Sequence, residues 1–372
     1  MYNFTTSRPV ESSHKCDIWL IVSVILLWGF GICTLYICSS YVLNGANALK
    51  TQLICSAIGF AGMIFFALLD MKHIQKLVVV IVFVAIILCI LAAFGPLSVE
   101  KNGGKRWIAL PGGNSFQPSE LLKLAVILYL ANFFDKEYDK PEEDKFVLPA
   151  VAMFFFMLGT VVIQKNLSTT LLIGFVGLMM FVVSKSKVKW ILPVSLIVIP
   201  LIILLIFTEE YRLKRFIGFF NPSANEMSLN YQANKAKMAI NRGGMWGTGI
   251  GSGLASFASV PFVAEDYIFV VIAQQLGFFG VILYTALISF FAWRGYLAAF
   301  KCPNRFAAYG TFGIITIIVI QSLLHCMVVA GVAPSTGLPL PFFSKGGSSE
   351  LMVLTMCGFV LNTSRCEEKS VF

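Results

Sequence analysis

A chain of 372 residues that is 58% hydrophobic and only 13% charged holds more apolar surface than a soluble core of that size can bury, which excludes an ordinary globular protein surrounded by water. A mean hydropathy of +0.82 makes the bilayer the solvent, and the formal net charge of +9 has to sit at membrane surfaces and in loops. Length alone would accommodate two or three soluble domains, but apolar runs recur from end to end, so one membrane domain over 1–372 is expected.

The first sixteen residues are polar, and the run from Ile18 to Tyr41 is too long for a signal-peptide core, so it reads as a retained first helix. Run length and polar interruptions predict an all-α, polytopic protein of ten helices, at 17–41, 51–69, 76–94, 119–134, 146–163, 169–184, 189–208, 267–293, 306–331 and 348–364. With a cytoplasmic N-terminus, the inner segments carry Arg8, Lys15, Lys72, Lys76, Lys136, Lys140, Lys145, Lys185, Lys187, Lys189, Arg294, Lys301, Arg305, Arg365 and Lys369. The short outer connections carry only Lys50, Lys165 and Lys345. That asymmetry places both termini inside. The nine cysteines show no metal-ligand spacing and read as free, packed thiols. The acidic stretch 135–144 reads as a solvated cytoplasmic loop, and no internal repeat is visible.

Two outer connections are long, 95–118 and 209–266. Lys101, Lys105, Arg106, Arg212, Lys214, Arg215, Lys235, Lys237 and Arg242 give them a positive field suited to an anionic headgroup or a pyrophosphate, although snorkelling at the interface would place the same residues there. In the first loop, Trp107 is either an interfacial anchor or a wall of a lipid groove. Pro118 and Ser119 mark a helix start, after which Glu120 and Lys123 share one face, a charged pair at the hydrocarbon edge with either a functional or a packing role. In the second loop, YQANKAKMAINRGG spaces basic and apolar residues as a short amphipathic helix lying in the interface. The glycine-rich 243–253 follows no strand and is not a nucleotide loop. The last outer loop, APSTGLPLPFFSKGGSSE, either lines a polar groove or makes a tight turn.

A glycosyl or phosphoryl transfer needs a base beside the reacting hydroxyl. The carboxylates on the outer side are Glu100, Glu209, Glu210, Glu226, Glu265 and Asp266, with Glu120 and Glu350 at helix mouths. Asp266 stands where the long loop enters the eighth helix, as a catalytic carboxylate or as a plain N-cap.

Four motifs in order, NGGKRWI with FQPSELLKLA, YQANKAKMAINRGGMWGTGIG, EDYIFVVIAQQLGFFG and STGLPLPFFSKGGSS, resemble the SEDS family of FtsW/RodA-type peptidoglycan glycosyltransferases over residues 17–364. The resemblance implies polymerisation of lipid II at the outer face of the bacterial cytoplasmic membrane, with Asp266 as the base on the acceptor's 4-hydroxyl. It implies substrate-binding roles for the pair Glu120 and Lys123 and for Arg212 and Arg215, the arginines with Lys105 and Arg106 as pyrophosphate candidates by charge, and Trp107, Tyr231, Gln232, Ser344, Lys345 and Ser348 as further substrate contacts. It also implies a class B penicillin-binding protein as transpeptidase partner, among other divisome or elongasome membrane proteins, and no nucleic acid. Whether a divalent cation takes part is not specified by these residues, and no metal ligands are assigned. The sequence departs from the family pattern at Gln274 and Gln275, where Glu-Glu is usual, and at Gln164 to Thr169 and Lys345. The NLSTT and YQANKAKMAI segments lean toward the FtsW-like division type. A lipid II flippase or other transporter is the alternative, with His325 near the midplane either its polar residue or a packing group. A silent scaffold for the transpeptidase is a third reading.

Overall fold

The structure, a computed structural model, describes residues 16–40, 45–101, 103–111, 114–138, 147–184, 219, 231–252, 260 and 262–366. The predicted helix at 189–208 lies outside these residues, as do Arg212 and Arg215. Long helices form wherever an apolar run follows a polar cap. α1 (Ile18–Ser39) starts at Asp17, whose carboxylate accepts from the backbone N–H of Trp19 at 2.9 Å and of Leu20 at 3.3 Å. α2 (Gly45–Leu68) and α3 (Met71–Phe94) are joined through Asp70, which caps α3. They are followed by α4 (Pro118–Tyr138), α5 (Val147–Ile163) and α6 (Leu167–Val183). Beyond the long connection come α7 (Tyr231–Gly243), α8 (Val263–Asp266), α9 (Phe269–Gln275), α10 (Gly277–Lys301), α11 (Arg305–Val329) and α12 (Gly347–Ser364).

Five of these helices, α1, most of α2, α3, α10 and α11, are long and apolar enough to cross a bilayer, and α5 and α6 are shorter apolar helices. The chain is a polytopic helical membrane protein. α4, α11 and α12 form the centre and are buried around nearly their whole circumference. α1, α2, α3 and α10 turn one side to that centre and expose large apolar residues on the other, among them Val79, Val80, Phe83 and Phe94 of α3. In lipid such a face costs nothing, because acyl chains are as apolar as the side chains that meet them.

Polar side chains tie the two ends. At the end that holds the start of α1, Asp17 pairs with Arg294 of α10, and its backbone N–H donates to Ser364 Oγ at 3.2 Å. Asn362 and Arg365 donate to the terminal carbonyls of α2, Asn362 to Phe66 at 2.7 Å and Arg365 to Ala67 at 2.8 Å, so a helix end that would be orphaned in the bilayer is satisfied. At the opposite end, the segment expected to be a plain loop at 95–118 is an antiparallel sheet of β1 (Ser98–Lys101), β2 (Gly104–Ala109) and β3 (Ser115–Phe116). Gly103, at φ +72°, turns the chain between β1 and β2, and Glu100 stands opposite Lys105 across the pair.

The eighth helix, expected as one run over 267–293, is broken. α9 stops at Gln275, and Gly277 takes φ +62° to start α10. A Cβ on Gly277 would lie 2.3 Å from Gly247 N, so the glycine turn after α7 is packed into the break. That turn satisfies the carbonyls the break frees: Thr248 N donates to Gln274 O at 2.9 Å and Gly249 N to Gln275 O at 3.1 Å. Discontinuous helices in membranes survive where such partners exist.

Candidate functional site

Asp266 is the last residue of the single-turn α8, which starts after Phe262 in the left-handed region at φ 56°. Its N–H closes that turn on Phe262 O at 3.0 Å. Tyr267, at φ −134°, then bends the chain into α9. The N-cap expectation is therefore corrected: Asp266 ends a turn, and the distance from Asp266 to Gln274 and Gln275 is not that of one continuous helix. The side chain is half-buried, while every residue of α9 is buried. Its Oδ2 lies 3.6 Å from where a Cβ would stand on Gly337, a residue at φ +68° that an L side chain would strain. The last loop thus meets the aspartate edge-on at its one glycine in the STGLP stretch.

That loop is held from several elements. Ser168 Oγ at the start of α6 donates to Thr336 O at 2.6 Å, His325 Nδ1 lies 2.9 Å from Leu338 O, and Gln321 Nε2 donates to Pro339 O at 2.7 Å. Ser344 Oγ accepts from Leu340 N at 2.8 Å. Gln52 of α2 donates to Ser344 O and accepts from Gly346 N. Lys345 N donates to Ala264 O at 2.8 Å, and Lys345 Nζ lies 3.2 Å from Glu265 Oε1, so the loop is joined to α8 by backbone and side chain together. Ser348 Oγ accepts from Gln117 N at 3.1 Å and donates to Ser115 O at 3.3 Å, tying α12 to β3.

Glu120 and Lys123 form an ion pair at 2.8 Å, with side chains 3% and 2% exposed. Lys123 Nζ also donates to Gln321 Oε1 at 2.9 Å. One turn of α4 sets the i, i+3 spacing, and the second partner on α11 supplies the hydrogen bond that a buried ammonium requires. Glu350 is buried in the first turn of α12.

The other predicted contacts scatter around this region. Lys105 is exposed on β2. The Arg106 guanidinium donates to Lys165 O at 2.8 Å and Gln164 O at 3.4 Å, fastening the sheet to the turn between α5 and α6. Trp107 is half-buried opposite Val99. Tyr231 is exposed, with Lys235 Nζ 5.4 Å from its ring centre, and Gln232 beside it is half-buried. α7 is the expected amphipathic helix: Ala236, Ala239 and Gly243 make its buried stripe, and Gly243 packs against Ala273 of α9. Lys237 runs past Gly331 at the end of α11. Among the described residues no three His, Cys, Asp or Glu side chains gather as metal ligands.

Sequence reasoning does not single out Ser168 or Gln321, and it leaves Gln275 as a lost carboxylate. The available signal was Gln321 and His325 at i, i+4 inside a mostly apolar run, since a polar pair on one face of a buried helix needs a partner. Gln275 is a clasp: its Oε1 accepts from Gly251 N at 2.7 Å, and its Nε2 donates to Ser252 O at 2.8 Å.

A multi-pass helical bundle with a half-buried aspartate between two loops at one end, above a buried ion pair, defines a membrane protein with a polar site at one face of the bilayer. The chain belongs to the FtsW, RodA and SpoVE family, described as cell cycle proteins, whose profile matches residues 18–369. It is 32% identical over 354 residues to the probable peptidoglycan glycosyltransferase FtsW of Trichlorobacter lovleyi, covering 94% of this chain and 93% of that one. It is 31% identical to the stage V sporulation protein E of Bacillus subtilis, covering 94% and 97% of the two chains. Among solved structures, a peptidoglycan synthase complex that coordinates polymerization and crosslinking superposes with a TM-score of 0.78 at 23% identity, over 95% of this chain and 98% of that one. The rod shape determining protein RodA of Thermus thermophilus superposes with a TM-score of 0.69 at 21% identity, over 95% and 97%. At those identities the two structures establish the fold.

Proposed function

We propose that this chain is a peptidoglycan glycosyltransferase that polymerises lipid II at the outer face of the bacterial cytoplasmic membrane. The observation that carries the reading is Asp266, a half-buried carboxylate held between α8 and the left-handed turn at Gly337. Family membership and relatives named as glycosyltransferases support it. In the reaction, the Asp266 carboxylate takes the proton from the acceptor's sugar 4-hydroxyl. The hydroxyl oxygen bonds to the anomeric carbon of the donor, the bond from that carbon to the pyrophosphate oxygen breaks, and undecaprenyl pyrophosphate leaves with the electron pair. A base in hydrogen-bond reach of the hydroxyl contributes about 10²- to 10⁴-fold. Lys105, Lys237, Arg242 and Lys345, all at this end, supply the field for the leaving anion, and Trp107 and Tyr231 offer flat surfaces to the substrate.

The positive-inside asymmetry supports an outward-facing site with both termini cytoplasmic. The likeness to a synthase complex that couples polymerization to crosslinking supports a class B penicillin-binding protein as partner, and the FtsW-named relatives support a place in division. The chain works as one membrane domain whose loops form the site. The test is polymerisation of lipid II by the purified protein with its transpeptidase. Asp266→Asn and Asp266→Ala, expressed and folded normally, lose at least about 100-fold in rate. Either variant polymerising within threefold of wild type refutes the assignment of the base.

A further inference from the structure

Two polar side chains one turn apart on α11 face the loop that meets Asp266. Gln321 and His325 are both buried, His325 to 1% exposure, in a mostly apolar helix where the intervening Ser322 closes its hydroxyl on Ile318 O of the same helix. Their hydrogen-bonding atoms can be assigned from their partners. The Lys123 ammonium can only donate, so the atom 2.9 Å from it is Gln321 Oε1. The Pro339 carbonyl can only accept, so Nε2 is the atom 2.7 Å from it. The Leu338 carbonyl likewise only accepts, so His325 Nδ1 carries the hydrogen across 2.9 Å, and its Nε2 is left with no hydrogen-bond partner. Two successive carbonyls, Leu338 and Pro339, are thus hooked from one helix face, and the residue just before them is Gly337. With Ser168 holding Thr336 O on the other side, the left-handed turn at Gly337 is fixed at both flanks.

We propose that Gln321 and His325 are positioning residues for Asp266: by holding the carbonyls of Pro339 and Leu338 they set Gly337 against the carboxylate Oδ2, and the buried Glu120–Lys123 pair acts on the base through Gln321. The inference rests on the reading of Asp266 as the general base. Glu120 and Lys123 then need not touch substrate. Lys123 locks the Gln321 amide in the one orientation that presents N–H to the loop, and a shift of the loop moves the carboxylate relative to the acceptor hydroxyl. Misplacement of about 1 Å is enough to cost about 100-fold in rate.

The experiment uses the full-length protein with its transpeptidase and lipid II as substrate. His325→Leu removes the donor at similar volume, and Gln321→Met does the same for the second hook. Each lowers kcat about 10- to 100-fold with KM within about threefold of wild type, because neither side chain is itself a substrate contact. His325→Asn, whose amide nitrogen can occupy the place of Nδ1 and donate to Leu338 O, restores kcat to within about threefold, whereas His325→Val, which has no hydrogen to donate, does not. That Asn and Val pair keeps the test alive if His325→Leu does not fold. Combining His325→Leu with Gly337→Ala costs little more than the worse single variant, since both act on one turn. The proposal is overturned if a folded His325→Leu keeps wild-type kcat while Asp266→Asn is inactive, or if His325→Asn stays as slow as His325→Val. A wild-type protein that does not polymerise lipid II overturns the functional reading itself, a separate outcome.

Discussion

Replacing Lys123 by methionine tests whether the ion pair on α4 behaves as the structure requires. The charges stand 2.8 Å apart with 2% and 3% exposure, and at an effective dielectric of about 20 their attraction is about 6 kcal/mol. Desolvation of both ions offsets most of that, so the intact pair adds little net stability. Removing one partner is a different matter. Lys123→Met leaves the Glu120 carboxylate buried and uncompensated and Gln321 Oε1 without its donor, which costs about 3–5 kcal/mol, a shift of at least about 150-fold in the unfolding equilibrium. The double variant Glu120→Leu, Lys123→Met removes both charges and recovers most of the loss, leaving only the orphaned amide oxygen at about 1–3 kcal/mol. The assay is SDS-induced unfolding of the purified protein, run as a double-mutant cycle. A coupling energy of at least about 3 kcal/mol is expected, and it should be unchanged at high salt because buried charges are screened little. Additive single variants, or a Lys123→Met loss below about 1 kcal/mol, would show that the pair is solvated and the burial argument wrong.

Gly277→Ala puts a Cβ 2.3 Å from Gly247 N at φ +62°, and it should destabilise by more than about 2 kcal/mol in the same unfolding assay; a loss under 1 kcal/mol would mean the break relaxes freely. Gln275→Glu keeps an acceptor for Gly251 N but sets an oxygen against Ser252 O. It should cost about 1–3 kcal/mol and speed hydrogen exchange across 249–252, with unchanged exchange counting against the clasp. The Glu265–Lys345 pair is 44% and 43% exposed, so alanine at either position should change stability by less than about 1 kcal/mol. Any loss of activity there should disappear when the two charges are swapped, and a swap that rescues nothing would assign Lys345 a role beyond its partner.

Much of the helical framework was readable in advance, for a reason visible in particular residues. The helix expected at 17–41 is α1, capped by Asp17, and the one expected at 76–94 is α3, which starts five residues earlier because Asp70 caps it at Met71; in both, a long apolar stretch leaves the chain one low-energy choice in lipid. Glu120 and Lys123 were legible as a pair because their contact is local to one helix turn. The sheet at 98–116 was not legible, since β2 pairs with strands on both sides whose register depends on contacts across a bulge and a turn. The break at Leu276 was hidden as well. Nothing in FVVIAQQLGFFG ends a helix strongly, and the deciding partner is a glycine turn some 30 residues earlier, near Gly247. Gln275 looked like a missing carboxylate and is a two-ended amide clasp.

The sequence by itself determined that the chain lives in a bilayer as a many-helix protein and which carboxylate stands at a loop junction, because hydropathy, charge and local spacing act over a single element. Only the tertiary structure decided that Asp266 ends a turn instead of capping a helix, that it meets Gly337, and that Lys123 reaches the same loop through Gln321. Those contacts join residues on α4, α8, α11 and the last loop. Their geometry is set by packing between elements, which no periodicity along one strand of sequence encodes.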